Sequence, residues 1–407
     1  MRVIIVILSL VVYVLATDII TDKYFFIKRK GNRSAPKVEL EYVVVHLDLK
    51  GAPPKLSYLQ SLLPMMKKHG VNGLLIEYED MFPYEGYLTV LKKRNSYKKK
   101  ELHAYLTAAA SSGFEIIPLV QTFGHMEFAL KHPEYVFLRE DPEFPDCICP
   151  SFSESQDLLT EHVKFLIKTV RILSPDTTVL IWDDMYRSYE PTDFSDFILT
   201  DAEVVHWAYT AKPYVDVHIN MTLNKYGHMF DNIWIATAFK GADGKERILP
   251  DLNIRFNNHL HWLNFIFEYG TLKKLYKIKG IILTGWSRYN HAAPLCEILP
   301  ASIPSLIINL ILIQKYTSGI VLENMKDLNV FIDEHIENNL DSSLLCQNRS
   351  KRFLDIFDSN TCHYEESDLY TTLQLLSNAY KYFDIKIKNA SNDEKSRIEY
   401  EYISESI

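Results

Sequence analysis

The chain has 407 residues, 47% of them hydrophobic, and a net charge of −8 with lysines and arginines spread along its length. That supplies a large core for one or two domains and excludes the concentrated basic face that nucleic-acid binding needs. The densest basic stretch, Lys92-Lys93-Arg94 with Lys98-Lys99-Lys100, reads as the solvated start of a helix.

At the N-terminus Arg2 precedes an apolar run, Val3 to Ala16, interrupted only by Ser9, and Val14-Leu15-Ala16 offers small residues before Thr17. Residues 1–16 read as a secretory signal peptide. The run is 14 residues long, short of the roughly 20 that span a bilayer; a signal anchor is the alternative, and membrane attachment is expected only through this segment. Residues 17–39 are polar and read as a linker. The sequons at Asn32, Asn220, Asn348 and Asn389 suit a glycoprotein only weakly, since chance places two or three in such a chain. Five cysteines, Cys147, Cys149, Cys296, Cys346 and Cys362, leave at least one thiol outside an internal disulfide. Cys346 and Cys362 are spaced to close a loop, whereas Cys147 and Cys149 would strain to bridge each other. No Cys/His spacing suggests zinc, and neither metal nor cofactor is expected.

The first strand is Leu40 to Leu47, ending in Asp48-Leu49-Lys50-Gly51. After Pro53-Pro54, a helix carries Leu56, Leu59, Leu62, Leu63 and Met66 at spacings of three and four, and His69-Gly70 closes it. Strand Val71–Ile76 ends in Glu77-Tyr78-Glu79-Asp80; a helix runs from about Lys98 to Ser112, stopped by Gly113; and strand Phe114–Val120 ends in Gln121-Thr122-Phe123-Gly124-His125-Met126-Glu127. Residues 139–154 read as acidic and irregular, and Ser155–Leu173 as a helix. Four more strands follow: Thr178–Ile181 into Trp182-Asp183-Asp184, Ala202–Val205 into His206-Trp207-Ala208-Tyr209, Asn232–Ala236 into Thr237-Ala238-Phe239-Lys240-Gly241, and Gly280–Thr284 into Gly285-Trp286-Ser287-Arg288-Tyr289. Ile303–Ile313 reads as a core helix, and residues 302–407 as helical with a charged tail.

Strands alternating with helices predict an α/β fold, a (β/α)8 barrel of the TIM type, over residues 40–318, with a helical extension at 319–407. Seven strands are legible, one β/α unit short. In such barrels chemistry gathers beyond the carboxyl ends of the strands. There Trp182, Trp207, Trp286, Tyr209 and Tyr289 could stack on sugar faces, and Asp48, Lys50, Asp80, Glu127, Asp183 and Asp184 could bind hydroxyls or exchange protons. The plainer alternative is aromatics covering the barrel mouth and carboxylates capping helices. His46, inside an apolar strand, reads as a hydrogen-bonded core residue.

The segments His46–Lys55, Glu77–Gly86, Gln121–Glu127, Trp182–Met185, Ala238–Ala242 and Ile282–Trp286 closely resemble, in order, the hexosaminidase D branch of the family 20 glycoside hydrolases, over about residues 40–310. The resemblance implies a β-N-acetylhexosaminidase that removes terminal β-linked N-acetylgalactosamine or N-acetylglucosamine from glycans and glycoconjugates. It implies retaining, substrate-assisted hydrolysis: the acetamido oxygen of the sugar attacks the anomeric carbon, a Glu protonates the leaving oxygen, and the Asp before it orients the acetamido nitrogen. By resemblance Trp182 and Trp286 wall the sugar pocket, Tyr209 bonds the acetamido oxygen, and His125 and Asp183 line the rim. Lys50 stands where more distant members carry a sugar-binding Arg, and Gln121 where they often carry Asp; Lys gives no bidentate contact.

The Gly-X-Asp-Glu motif that carries the family's catalytic pair is absent. The only Asp-Glu dipeptides are Asp333-Glu334 and Asp393-Glu394, neither following a barrel strand. The catalytic pair is therefore unassigned, and three readings stay open: an inactive amino-sugar-binding relative, a sequence lacking a piece of an active enzyme, or transfer of acid catalysis to Asp183, Asp184 or Glu127. A lost strand is expected to distort the barrel, because strand number and shear are linked. The leader-like start points to the secretory route (secreted or lysosomal), the branch to a cytoplasmic or nuclear home.

Overall fold

The computed structural model describes residues 5–8, 37–50, 53–121, 124–148, 178–184, 187, 202–213, 217–244, 247–270, 276–287, 297–322, 325 and 327–337. Its strands are β1 (Ile5–Leu8), β2 (Tyr42–Asp48), β3 (Gly73–Glu77), β4 (Glu115–Gln121), β5 (Arg139–Asp141), β6 (Phe144–Ile148), β7 (Val179–Trp182), β8 (Ala202–Trp207), β9 (Asn232–Lys240) and β10 (Lys277–Gly285). Eight of them form a closed barrel in the order β1-β4-β3-β2-β10-β9-β8-β7, every pair parallel.

All seven expected strands are present. Among the described residues the place between β4 and β7 is taken by β1: Val6 pairs with Leu119 and Leu180, Ile7 with Val120 and Ile181. The expected distortion is thus met by an eighth strand drawn from the N-terminal apolar run, inside the segment read as a leader and outside the 40–318 boundary. Residues 139–148 depart from the irregular expectation. They form the antiparallel hairpin β5–β6, turned at Pro142-Glu143 with the Asp141 carboxylate accepting the Glu143 amide at 2.9 Å, a local bond that Asp supplies in turns.

Strand side chains alternate between two cores. Val44, Leu75, Ile117, Leu119, Leu180, Val205, Trp234, Ala236 and Ile282 fill the barrel interior. Their neighbours Val43, Val45, Leu74, Ile76, Val179, Ile181, Val204, Ile235, Ile281 and Leu283 pack outward in the core that also holds the helices. The helices Leu56–Lys68 and Lys99–Ser111 stop where expected, with Gly70 and Gly113 at φ of +86° and +82°, a left-handed conformation that glycine adopts without strain. Leu299–Thr317 is, among the described residues, the one helix long and apolar enough to cross a membrane, but 83% of it lies buried inside the fold. Ser305 Oγ donates to the Phe239 carbonyl at 2.7 Å, fixing it against β9 as a core helix.

The expected helix Ser155–Leu173, nearly all of the 17–39 linker, the tail beyond 337, Cys149, Cys296, Cys346, Cys362, Asn32, Asn348 and Asn389 lie outside the described residues. Asn220 falls in the helix Val217–Gly227, and Cys147 is partly buried with a free thiol.

Because β1 is an interior strand, proline at Ile7 deletes a donor from the middle of a ladder. Ile7→Pro is expected to lower the thermal midpoint by several degrees, measured by scanning fluorimetry; an unchanged midpoint would show that β1 does not close the barrel.

Candidate active site

The alternation that fills the barrel also builds its mouth. Following the inward-facing positions toward the carboxyl ends, Val44 leads to His46 and Asp48, Leu75 to Glu77 and Glu79, Leu119 to Gln121, Leu180 to Trp182 and Asp184, Val205 to Trp207 and Tyr209, and Ile282 to Thr284 and Trp286. Each strand changes from aliphatic to polar or aromatic at about the same height.

Lys50 is the electrostatic centre of one side. Its Nζ lies 2.7 Å from Asp48 Oδ2, 3.2 Å from Glu77 Oε1 and 3.4 Å from Glu79 Oε1, all buried. Glu77 also contacts His46 Nε2 at 3.1 Å and accepts from Gln121 Nε2 at 2.7 Å. Burial opposes the charge on Lys50, but Asp48, Glu77 and Glu79 together hold it well above the ordinary lysine range. Burial likewise opposes ionisation of Glu77, and Lys50 and the His46 bond overcome it and keep it ionised. Glu79, on a left-handed backbone with φ of +42°, is driven well upward by burial and by its neighbours Glu77 and Asp48. One lysine thus faces three acidic side chains. Asp48 Oδ2 also accepts the Ser287 amide at 2.8 Å, joining this cluster to the loop that carries Trp286. Asp80 is held apart: fully buried, it pairs with Lys131 at 2.6 Å and Lys93 at 3.7 Å, and so pins its loop rather than offering a carboxylate to a hydroxyl.

Trp286 is the hub of the aromatic wall. Its ring lies 4.6 Å from His46, 5.8 Å from Trp182 and 6.5 Å from His125 in a stacked arrangement, and Lys50 Nζ stands 5.7 Å over it. Its indole donates to the Tyr209 hydroxyl at 3.1 Å, and Tyr209 stacks on Trp207 at 4.9 Å. Trp182 is buried and forms the floor, while Trp286, Tyr209, Trp207 and His125 are partly exposed. Burial, then Lys50, push the His125 imidazole downward, leaving it neutral. His46 is the buried, hydrogen-bonded residue expected, and it also braces the Trp286 ring. Tyr289 lies outside the described residues.

The three fallback acids divide by position. Asp183 is one residue out of phase with the inward set. It faces the helix Val217–Gly227, accepting from Arg187 at 2.8 and 2.9 Å and from the Tyr226 hydroxyl at 3.2 Å, and lying 2.5 Å from His206 Nδ1. Although burial opposes it, His206 and Arg187 lower its carboxyl to about 2, so it stays ionised and gives up no proton. This differs from the rim or catalytic place expected for it, and the reason is parity along the strand. Asp184, in phase, accepts the Trp207 indole at 2.8 Å, and burial plus the Asp183 charge push it up to about 7. Glu127 opens the short helix Glu127–Leu130 after β4, where burial raises it to about 7. Sequence reasoning passed over Arg187, Tyr226, Asp243, Arg255 and Glu297. Each lies in a loop or on a helix, where no strand-end rule applies.

Because Asp183 is depressed in the folded state, its stabilisation is present above its ordinary value of 3.8 and is lost as pH falls through about 2. Asp183→Ala should destabilise the fold by about 3 kcal/mol, the lower end for breaking a buried pair, since Arg187 keeps a third of its surface exposed. Urea unfolding should show the deficit at neutral pH and its narrowing between about pH 4 and 2; a constant deficit would separate it from this ionisation.

No family model matches the chain. It is 38% identical to human (Homo sapiens) hexosaminidase D over 314 residues, covering 65% of this chain and 63% of that protein's length. It is 37% identical to bovine (Bos taurus) hexosaminidase D over 334 residues, covering 70% of this chain and 94% of the relative. A β-N-acetylhexosaminidase from Bacteroides fragilis is similar in three dimensions, with a TM-score of 0.45, 11% identity and coverage of 68% of this chain and 65% of that one. With more than a third of the positions identical across nearly the whole bovine protein, the chain belongs to the hexosaminidase D family.

Proposed function

We propose that the chain is a β-N-acetylhexosaminidase-type glycoside hydrolase, removing terminal β-linked N-acetylgalactosamine or N-acetylglucosamine from glycoconjugates by substrate-assisted, retaining hydrolysis. The observation that carries this is the wall at the mouth: Trp286 set between Trp182 and His125, with its indole bonded to the Tyr209 hydroxyl. An apolar sugar face fits against such rings. Burial raises the Tyr209 phenol, so it stays protonated and can donate to the acetamido oxygen as that atom turns toward the anomeric carbon. The buried pairs of Lys50 with Asp48 and Glu77 supply fixed partners for ring hydroxyls.

The leaving oxygen needs a proton, and the strand in the fourth barrel position, Ile5–Leu8, has no carboxylate to give one. Asp184 is the group we assign. It follows an aspartate that stays ionised, holds its own proton to about pH 7 and stands beside Trp207, the division of roles that acid catalysis next to a charged intermediate requires. A non-hydrolysing amino-sugar-binding protein is the alternative. On localisation, the leader-like start supports the secretory route, with a cytoplasmic or nuclear home as the alternative.

The test is hydrolysis of chromogenic β-N-acetylgalactosaminide and β-N-acetylglucosaminide from pH 4 to 9, with the product anomer followed by NMR. Turnover with retention is expected, falling as pH rises through about 7 as Asp184 loses its proton. Asp184→Asn should lower kcat by roughly 10²–10⁴-fold and abolish that limb. If Glu127→Gln does so instead, the acid is Glu127; if the wild-type chain binds N-acetylgalactosamine without turnover, the binding alternative holds.

A further inference from the structure

Behind the aromatic wall lies a group of buried charges with no part in the chemistry above. Lys240, the last residue of β9 and 2% exposed, donates from Nζ to the Trp286 carbonyl at 2.5 Å. The next residue, Gly241 at φ of +76°, packs so closely on Trp286 that a Cβ there would lie 2.0 Å from its carbonyl oxygen. The Gly241 amide donates to Glu297. Arg255, 1% exposed on the helix Leu252–Gly270, joins Asp243 at 2.9 Å to the Tyr209 carbonyl at 3.0 Å.

The same helix holds the residues on either side of Tyr209. Asn258 Nδ2 donates to the carbonyls of Ala208 at 2.9 Å and Thr210 at 2.7 Å, and the Trp262 indole donates to Ala208 at 3.1 Å. Three consecutive carbonyls around one tyrosine are thus gripped by side chains of a single helix. The Trp286 backbone is gripped in turn from the end of β9, next to that helix. Burying lysine, arginine and aspartate together is costly unless each charge is paired, and a loop that needed only to be closed could use apolar residues instead.

We propose that Lys240, Arg255 and Asn258, with Asp243 as the counter-group of Arg255 and Glu297 as the acceptor of the Gly241 amide, form a positioning clamp that fixes the distance between Trp286 and Tyr209 and so the width of the amino-sugar pocket. The proposal rests on the hexosaminidase reading only for what occupies the pocket; the clamp is a property of the two aromatic loops. Lys240 touches no substrate. It acts through Trp286, and its loss widens the pocket for ground state and transition state alike, which appears in KM rather than kcat.

The experiment replaces the chain's five tryptophans with a fluorinated analogue, assigns the Trp286 fluorine resonance with Trp286→Phe, and compares wild type, Lys240→Met and Lys240→Arg. Lys240→Met is expected to shift or broaden the Trp286 signal and leave that of Trp234, at the far end of the barrel, in place. KM for the chromogenic β-N-acetylgalactosaminide should rise roughly tenfold, the loss of one charged hydrogen bond, with little change in kcat, and Lys240→Arg should recover part of it. An unmoved Trp286 signal with unchanged KM overturns the clamp. If the wild-type chain shows no turnover, the functional reading fails and the fluorine spectra alone decide the clamp. Should Lys240→Met fail to fold, Asp243→Asn weakens the Tyr209 side while keeping Lys240; the Trp286 signal must then move, through its bond to the Tyr209 hydroxyl, or the proposal falls.

Discussion

Everything at the mouth of this barrel depends on the two-residue repeat of a parallel strand. Because successive side chains point to opposite faces, a strand that places Val44 in the interior must also place His46 and Asp48 there, and one that buries Leu180 must present Trp182 and Asp184. The aliphatic layer and the functional layer are one register read at two heights. A slip of one residue would send the polar ends into the helical shell. Asp183 shows what the opposite parity demands: a carboxylate facing the helices must be matched at once by Arg187, His206 and Tyr226.

The buried charges have a common pattern. Asp48, paired with Lys50, accepts the Ser287 amide; Arg187, paired with Asp183, donates to the Trp207 carbonyl at 2.7 Å; Lys240 donates to the Trp286 carbonyl and Arg255 to that of Tyr209. In each case a charged side chain holds the backbone at or next to an aromatic residue of the wall. Burying an ion pair returns little net stability, but it fixes geometry more tightly than packed methyl groups, because a charged hydrogen bond weakens steeply with angle and distance. The aromatic rings form the wall of the mouth, and the ions set where that wall lies.

The fold was largely legible because its signals are local and repetitive. The seven barrel strands between Tyr42 and Gly285 were marked by apolar runs, and the ends of two helices by Gly70 and Gly113. Trp182, Tyr209, Trp286, Lys50 and Asp48 were legible as strand-end residues, and they do gather at the mouth. Less was visible where partners come from distant segments. Asp80 resembles any other strand-end acid until Lys131 is found 2.6 Å away. Asp183 and Asp184 are chemically alike in sequence, and only the pleat separates one outward and lowered to about 2 from the other inward and raised to about 7. Arg255 and Glu297 follow no periodic pattern that points toward the site.

The least legible element was β1, since nothing in an apolar run after Arg2 distinguishes a leader from a strand. Composition serves both: β-branched residues favour a strand buried on both faces and also give the apolarity of a leader. What decides is the vacancy elsewhere. Seven parallel strands leave β4 and β7 with unpaired edges, and an exposed edge is an open template for any extended apolar segment. Ile5–Leu8 pairs with both edges at once. Closure and chemistry are thereby separated. The position between β4 and β7 is filled by a segment that carries hydrogen bonds but no carboxylate, so among the described residues the carboxyls nearest to it stand at the neighbouring strand ends. β4 leads into Glu127 and β7 into Asp184, the two mouth carboxyls flanking that position, and burial raises each to about 7. The strand that keeps the barrel whole therefore stands between two strands whose ends carry carboxyls raised by burial.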